Sequence, residues 1–303
     1  MVDIIIIGAG PAGMTAALYA RRAEQSVLLL EKENFGGQIT YSPKVENYPG
    51  YLQMSGSEFA DKLFEQVTAL DTAVEMEEVV SVTKTGDFLT VKTDRNEHTA
   101  KAVIIAAGSR HRQLGVEREN DLVGAGVSYC AVCDGAFYKG KDVAVIGGGN
   151  SALQDAVLLA DTCRKVTILQ NLPTLTGEEK LQKKLRSLPN VEIVCSVTVD
   201  ALLGDNSVTG VRVKNAETNE LTEFAVDGIF VAIGQQPENK PFSEVANLND
   251  YGYITADESC LTSTPGVFVA GDCRTKAVRQ ITTATGDGAA AAVAACRYLD
   301  SLN

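Results

Sequence analysis

The chain contains one segment twice. Val2-Asp3-Ile4-Ile5-Ile6-Ile7-Gly8-Ala9-Gly10-Pro11-Ala12-Gly13 returns as Asp142-Val143-Ala144-Val145-Ile146-Gly147-Gly148-Gly149-Asn150-Ser151-Ala152, its glycines offset by a constant 139 residues without a gap. In each copy a helical stretch follows the glycines (residues 14–23 and 153–162), and then a second apolar run (27–30 and 166–169). Short apolar runs without polar alternation read as parallel strands buried on both faces, so each copy opens a βαβ unit. With 303 residues there is room for two cores. The expected class is α/β, two Rossmann-like dinucleotide-binding domains.

Glycine is required at such turns because the strand must bend sharply into the helix and let a pyrophosphate approach the N–H groups at the helix N-terminus. One glycine turn of this kind is a weak signal; two in matching strand and helix context are a strong one. The first site is Gly8, Gly10, Pro11, Ala12 and Gly13. The second, a nicotinamide-nucleotide candidate, is Gly147, Gly149, Asn150, Ser151 and Ala152. Glu31 closes the second strand of the first copy at the spacing expected of a carboxylate that binds an adenosine ribose. Its counterpart in the second copy is Gln170, in the uncharged run 170–177.

Between the two turns lies Cys130-Ala131-Val132-Cys133-Asp134, and the other five of the seven cysteines stand alone. Met1 leads at once into a strand and a glycine turn, with no basic region or cleavage site, so the expected compartment is the cytoplasm. There, a lone Cys-x-x-Cys pair favours redox chemistry or a metal over a structural disulfide framework. Two histidines and no second Cys-x-x-Cys argue against zinc, and no metal is expected. A net charge of −12 opposes nucleic acid and anionic membrane as partners. Ala289 to Ala295 is too short to span a bilayer and reads as a packed C-terminal helix. A dithiol flanked by two dinucleotide sites points to electron relay.

Across essentially its whole length the chain resembles the bacterial flavoprotein thioredoxin reductases of low molecular weight. Gly36-Gly37-Gln38 and Val45-Glu46-Asn47-Tyr48-Pro49-Gly50 look like the family's flavin-ring segment, and Ala106-Ala107-Gly108-Ser109 like the strand that returns under the flavin. Gly271-Asp272-Cys273 is similar to the ribityl-binding segment, and Arg279-Gln280-Ile281 to the helix start that closes over the flavin. The resemblance implies FAD as cofactor and a flavin domain split into residues 1–113 and 242–303. Residues 114–241 would form the inserted domain that carries the cysteines, with Pro237 and Pro241 stiffening the second crossing. It further implies a homodimer, thioredoxin or a thioredoxin-like protein as partner, and rotation of the inserted domain between two states. In this scheme Cys133 faces the flavin and Cys130 attacks the partner. A helix beginning near the pair would lower one thiol's pKa. Asp134 either moves the proton or caps a helix.

The chain departs from the family at one place. NADPH-using members carry a His-Arg-Arg run after the second Rossmann strand and a further arginine four residues on; here the positions read Gln170, Asn171, Leu172 and Thr176. Each guanidinium lost from a 2′-phosphate removes roughly 1.5–3 kcal/mol of charge-assisted hydrogen bonding. The expected donor is therefore NAD(P)H without strong NADPH preference, with Gln170 or Asn171 on a bare ribose. The alternative is reduced ferredoxin, against which the retained glycine turn counts; Lys180, Lys183, Lys184 and Arg186 are its one basic cluster, read more simply as a solvated helix face. Outside catalysis, a flavin-binding redox sensor would use the same pair. A flavin oxidase would not need it.

Overall fold

A computed structural model of the chain describes residues 1–42 and 45–302. The chain divides into two compact units, Met1–Arg110 with Gln236–Asn303, and His111–Gln235. The crossings fall three and six residues before the boundaries read from sequence. Local hydrogen bonding explains both shifts. Arg112 N already donates to Gly234 O within the second unit. Beyond the return crossing, the buried Asn239 amide donates to Gly252 O at 2.9 Å and Cys273 O at 2.8 Å, which draws Pro237 and Pro241 into the first unit.

In the first unit the strand Val2–Ile7 lies between Val27–Glu31 and Glu97–Ile105, parallel to both, with Ala73–Met76 at one edge. The strand Glu97–Ile105 pairs antiparallel with Phe88–Thr93 through its first half and parallel with Val267–Val269 through its second. The isoleucine run is buried on both faces, as its lack of alternation demands. Ile4 and Ile6 pack under the helices Pro11–Arg22 and Ile281–Asp300, while Ile5 and Ile7 meet Phe242 and Val245 on the opposite face. Ala291, Ala292 and Ala295 are fully buried against this layer. Among the described residues no helix is long and apolar enough to cross a membrane.

The second unit repeats the arrangement. The strand Asp142–Ile146 runs parallel between Lys165–Leu169 and Gly228–Val231, with Val191–Val194 and Val127–Ser128 at the edges. A separate three-stranded antiparallel sheet follows, Val197–Leu203, Gly210–Asn215 and Leu221–Ala225. Both Rossmann helices start three residues earlier than their apolar periodicity indicates, at Pro11 and Asn150. The turn residues after the central glycine are already helical, and Pro11 suits the first helical position because its missing N–H has no partner there.

A buried acid sets part of the first unit's pH response. Glu77 is 5% exposed, and its carboxylate accepts from Thr93 Oγ1 at 2.7 Å, from Asn96 Nδ2 and from His98 Nε2 at 2.8 Å. Burial raises its pKa, but the bonds from His98, Thr93 and Asn96 outweigh that and hold it at about 2. The folded pKa lies below the unfolded value, so this group stabilises the fold above about pH 4.5 and the contribution drains away as pH falls toward 2. Glu77→Gln should lower stability at neutral pH and flatten its fall over that window. Urea midpoints measured against pH check this, and parallel curves for the two proteins would refute it.

Candidate functional site

The expected flavin residues converge on the N-terminus of the helix Pro11–Arg22. Gly8 turns the chain at φ +102°, where a Cβ would stand 2.4 Å from Ala106 O, and a Cβ on Gly13 would stand 1.8 Å from Gly8 O. These two glycines let strand and helix touch. Gly10 is the N-cap and its helix end carries no side-chain cap, which leaves peptide N–H groups for a ligand. Glu31 is buried beside the turn; its Oε2 accepts from Ala9 N at 2.7 Å, and Oε1 accepts from Lys32 N and Glu33 N.

Residues 36–37 and 271 touch this turn, and the other segments are tied to one another. Gly36 N donates to Ala9 O at 2.8 Å, and Gly37 lies near Gly10. Gln38 Nε2 donates to Ser109 O, which fixes the Ala107-Gly108 stretch of the return strand. Asn47 Nδ2 donates to Gln280 Oε1 at 3.2 Å, and Ile281 packs with Val45, Met54 and Phe59. Arg279 stacks over the Tyr253 ring at 4.4 Å and donates to backbone carbonyls of Asp272, Arg274 and Lys276. A Cβ on Gly271 would press on Ala12 Cβ at 2.9 Å.

Asp272 tests whether this cradle fits a polyol chain. Its Oδ1 is buried with no hydrogen-bond partner, and burial raises its pKa. An unpaired buried carboxylate oxygen is costly unless a ligand donates to it, so a ribityl hydroxyl fits here. The sequence reading missed what holds this loop. Asp287 accepts from Gly271 N at 2.9 Å, from Arg274 Nε and Nη2 at 2.8 Å each, and from Lys276 Nζ at 2.9 Å. An acid ahead of the alanine run of the helix Ile281–Asp300 was the available signal.

In the second unit Cys130 and Cys133 form a disulfide at the end of the strand Val127–Ser128. The helix begun there is a single turn, Ala131–Asp134, followed by a 3-10 turn, Gly135–Tyr138. Cys130 is its N-cap, with Sγ accepting from Cys133 N at 3.2 Å. The Asp134 side chain caps nothing. Its Oδ2 accepts from Ser128 Oγ at 2.6 Å, Oδ1 is buried and unpaired, and burial raises its pKa against the lowering effect of the Ser128 bond. Cys163, Cys260 and Cys273 are buried, and burial pushes the last two thiols up to about 11 and about 12.

Around the second glycine turn, Gly147 has φ +128° and a Cβ there would meet Ala232 O at 2.5 Å; Gly149 caps the helix Asn150–Ala160. Ser151 is exposed and Ala152 buried on that helix's first turn. Gln170 is 4% exposed and stands directly over Gly148, where a Cβ would lie 2.6 Å from its amide. Its Oε1 accepts from Asn171 N and its Nε2 donates to Thr174 O, both within its own loop. Thr176 N and Gly177 N donate to Gly148 O, and Glu178 N donates to Asn150 Oδ1 at 2.7 Å. Asn171 is exposed.

Three comparisons bear on the whole arrangement. The family profile described as pyridine nucleotide-disulphide oxidoreductase matches residues 2–288. The chain is 42% identical over 301 residues to the thioredoxin reductase of Bacillus subtilis, covering 99% of this chain and 95% of that one, and 40% identical over 301 residues to that of Listeria monocytogenes, covering 99% and 94%. Among solved structures, the thioredoxin reductase of Streptococcus pyogenes superposes with a TM-score of 0.95 at 39% identity, covering 99% of each chain.

Proposed function

This chain belongs to the pyridine nucleotide-disulphide oxidoreductase family, and from that premise we propose that it is an FAD-dependent thioredoxin reductase whose electrons leave through Cys130 and Cys133. The observation that carries the reading is the Cys130–Cys133 disulfide with the buried, half-unpaired Asp134 carboxylate beside it. FAD would be held by Gly8, Gly10, Gly13 and Glu31 on its adenosine side and by Gly37, Gln38, Asn47, Ala107, Gly108, Gly271, Asp272, Arg279, Gln280 and Ile281 on its flavin side. When bound it supplies an electron pair to a disulfide.

Once reduced, Cys130 attacks the thioredoxin disulfide; the Cys130–partner bond forms, the partner's S–S bond breaks and one partner thiol leaves. Cys133 then attacks Cys130 Sγ, which restores the internal disulfide and frees the second partner thiol. Asp134 takes the proton from the attacking thiol and returns it to the leaving sulfur. Which cysteine takes which part rests on family resemblance, as does the homodimer.

The donor assigned is NAD(P)H without strong NADPH preference. The glycine turn at Gly147, Gly149, Asn150, Ser151 and Ala152 is intact, and no arginine stands among residues 170–178 to hold a 2′-phosphate. A second reading, reduced ferredoxin, is favoured by one observation: residues 176–178 fold back onto Gly148 and Asn150, and Gln170 lies over Gly148. Anaerobic titration of the yellow protein with NADH, NADPH and reduced ferredoxin decides. Bleaching of the flavin by NADH at least as readily as by NADPH is the expected result; bleaching by ferredoxin alone would transfer the assignment to it, and strong preference for NADPH would refute both readings.

A further inference from the structure

Ser128 is 4% exposed at the end of its strand, and its hydroxyl joins two parts of the dithiol motif. It accepts from Cys130 N at 3.1 Å and donates to Asp134 Oδ2 at 2.6 Å. That bond is the one that the Asp134 side chain makes among the described residues, and Oδ1 stays buried without a partner. A hydroxyl that anchors one carboxylate oxygen fixes where the other points and lowers the cost of the ionised form.

We propose that Ser128 is a positioning residue of the disulfide exchange: by tying Asp134 Oδ2 to the Cys130 backbone, it presents Oδ1 as the corner that takes and returns the cysteine proton. The role rests on the relay reading above. The simpler alternative is that Ser128 is a buried polar group satisfied at a strand end, with no bearing on proton transfer. Other ionisable groups lie near. Tyr138, on the following turn, has its pKa raised by burial and then by Asp134 and Asp227. Asp155 belongs to the helix Asn150–Ala160, which packs against the Ala131–Asp134 turn, and burial raises its pKa to about 6. A pH profile therefore has to be assigned to Asp134 by substitution.

The test uses holoenzyme reduced anaerobically with stoichiometric dithionite and mixed with dithiobis(nitrobenzoate), whose disulfide accepts the electron pair and releases coloured thiolate. The wild-type rate should climb with pH in two stages, a lower one as Asp134 loses its proton and an upper one as the attacking thiol ionises by itself, and Asp134→Asn should remove the lower stage. Ser128→Ala, which deletes the bond favouring the ionised form, should move the lower stage up by about one pH unit. Ser128→Thr keeps the hydroxyl and should restore it. Ser128→Ala on top of Asp134→Asn should shift nothing further. Infrared detection of the protonated Asp134 carboxyl, persisting to higher pH in Ser128→Ala, reads the same change without turnover. A uniform loss of rate with an unmoved profile, or the same shift in the Asp134→Asn background, would overturn the proposal. Wild-type protein that releases no thiolate at any pH would sink the relay reading itself, and Ser128's role with it.

Discussion

Gly13→Ala should yield a protein that purifies nearly colourless. The Cβ it adds would lie 1.8 Å from Gly8 O and 3.0 Å from Gly8 C. Both are backbone atoms of the strand-to-helix turn, so no side-chain rotation relieves the clash. The helix Pro11–Arg22 must lift from the strand Val2–Ile7, yet Met14, Ala16 and Ala17 on that helix are fully buried in the core with Ile4 and Ile6. Overpacking at a site this tight costs roughly 1–3 kcal/mol or more, and it falls on the geometry that presents the helix N-terminus to a ligand. Flavin affinity should drop at least about a hundredfold, which corresponds to the upper part of that range. Flavin content per chain and the thermal midpoint with and without added FAD check it. Wild-type colour in Gly13→Ala would remove this turn from the flavin site.

Cys133→Ser and Cys130→Ser should each keep the flavin and lose the reaction. Both positions lie in the His111–Gln235 unit, while the candidate flavin residues lie in the other. Colour should therefore survive. Turnover with thioredoxin should fall by on the order of a thousandfold or more, since the second sulfur is needed to resolve what the first has formed. The two variants should differ in what they leave behind. With Cys133 replaced, Cys130 can still attack and stay bound to the partner as a mixed disulfide visible by mass spectrometry; with Cys130 replaced, that adduct should be scarce. The opposite pattern would exchange the roles of the two cysteines. Activity retained in both would exclude the pair from the path and favour an oxidase-type reading.

Much of this was legible because the chain states it locally. An isoleucine run with no alternation admits one placement, a strand covered on both faces, and Ile4 to Ile7 occupy it. The repeat likewise announces two Rossmann units. Less was legible where the decisive contact is distant in sequence. Nothing around Asn239 announces that its amide bonds across to Gly252 and Cys273, and this is what moves the second crossing. The antiparallel sheet from Val197 to Ala225 carries short strands with partly exposed residues, and its pattern went unread. Asp287 and Ser128 act through bonds to partners that only the fold brings within reach. At Gln170 the loss of charge was plain from the sequence, but the closing of Thr176 and Gly177 over Gly148 depends on backbone bonds that no motif encodes.

The central claim is that electrons pass from the flavin through Cys130 and Cys133 to a protein disulfide. Anaerobic reductive titration of FAD-loaded protein tests it most directly, comparing wild type with the Cys130→Ser/Cys133→Ser double variant and then adding oxidised thioredoxin. Wild type should take up a second electron pair beyond the pair that bleaches its flavin, and thioredoxin should recover it as thiols. The double variant should stop after the first pair and reduce no thioredoxin. A wild-type titration that ends with the flavin's own pair, or a double variant that reduces thioredoxin as fast as wild type, would contradict the account.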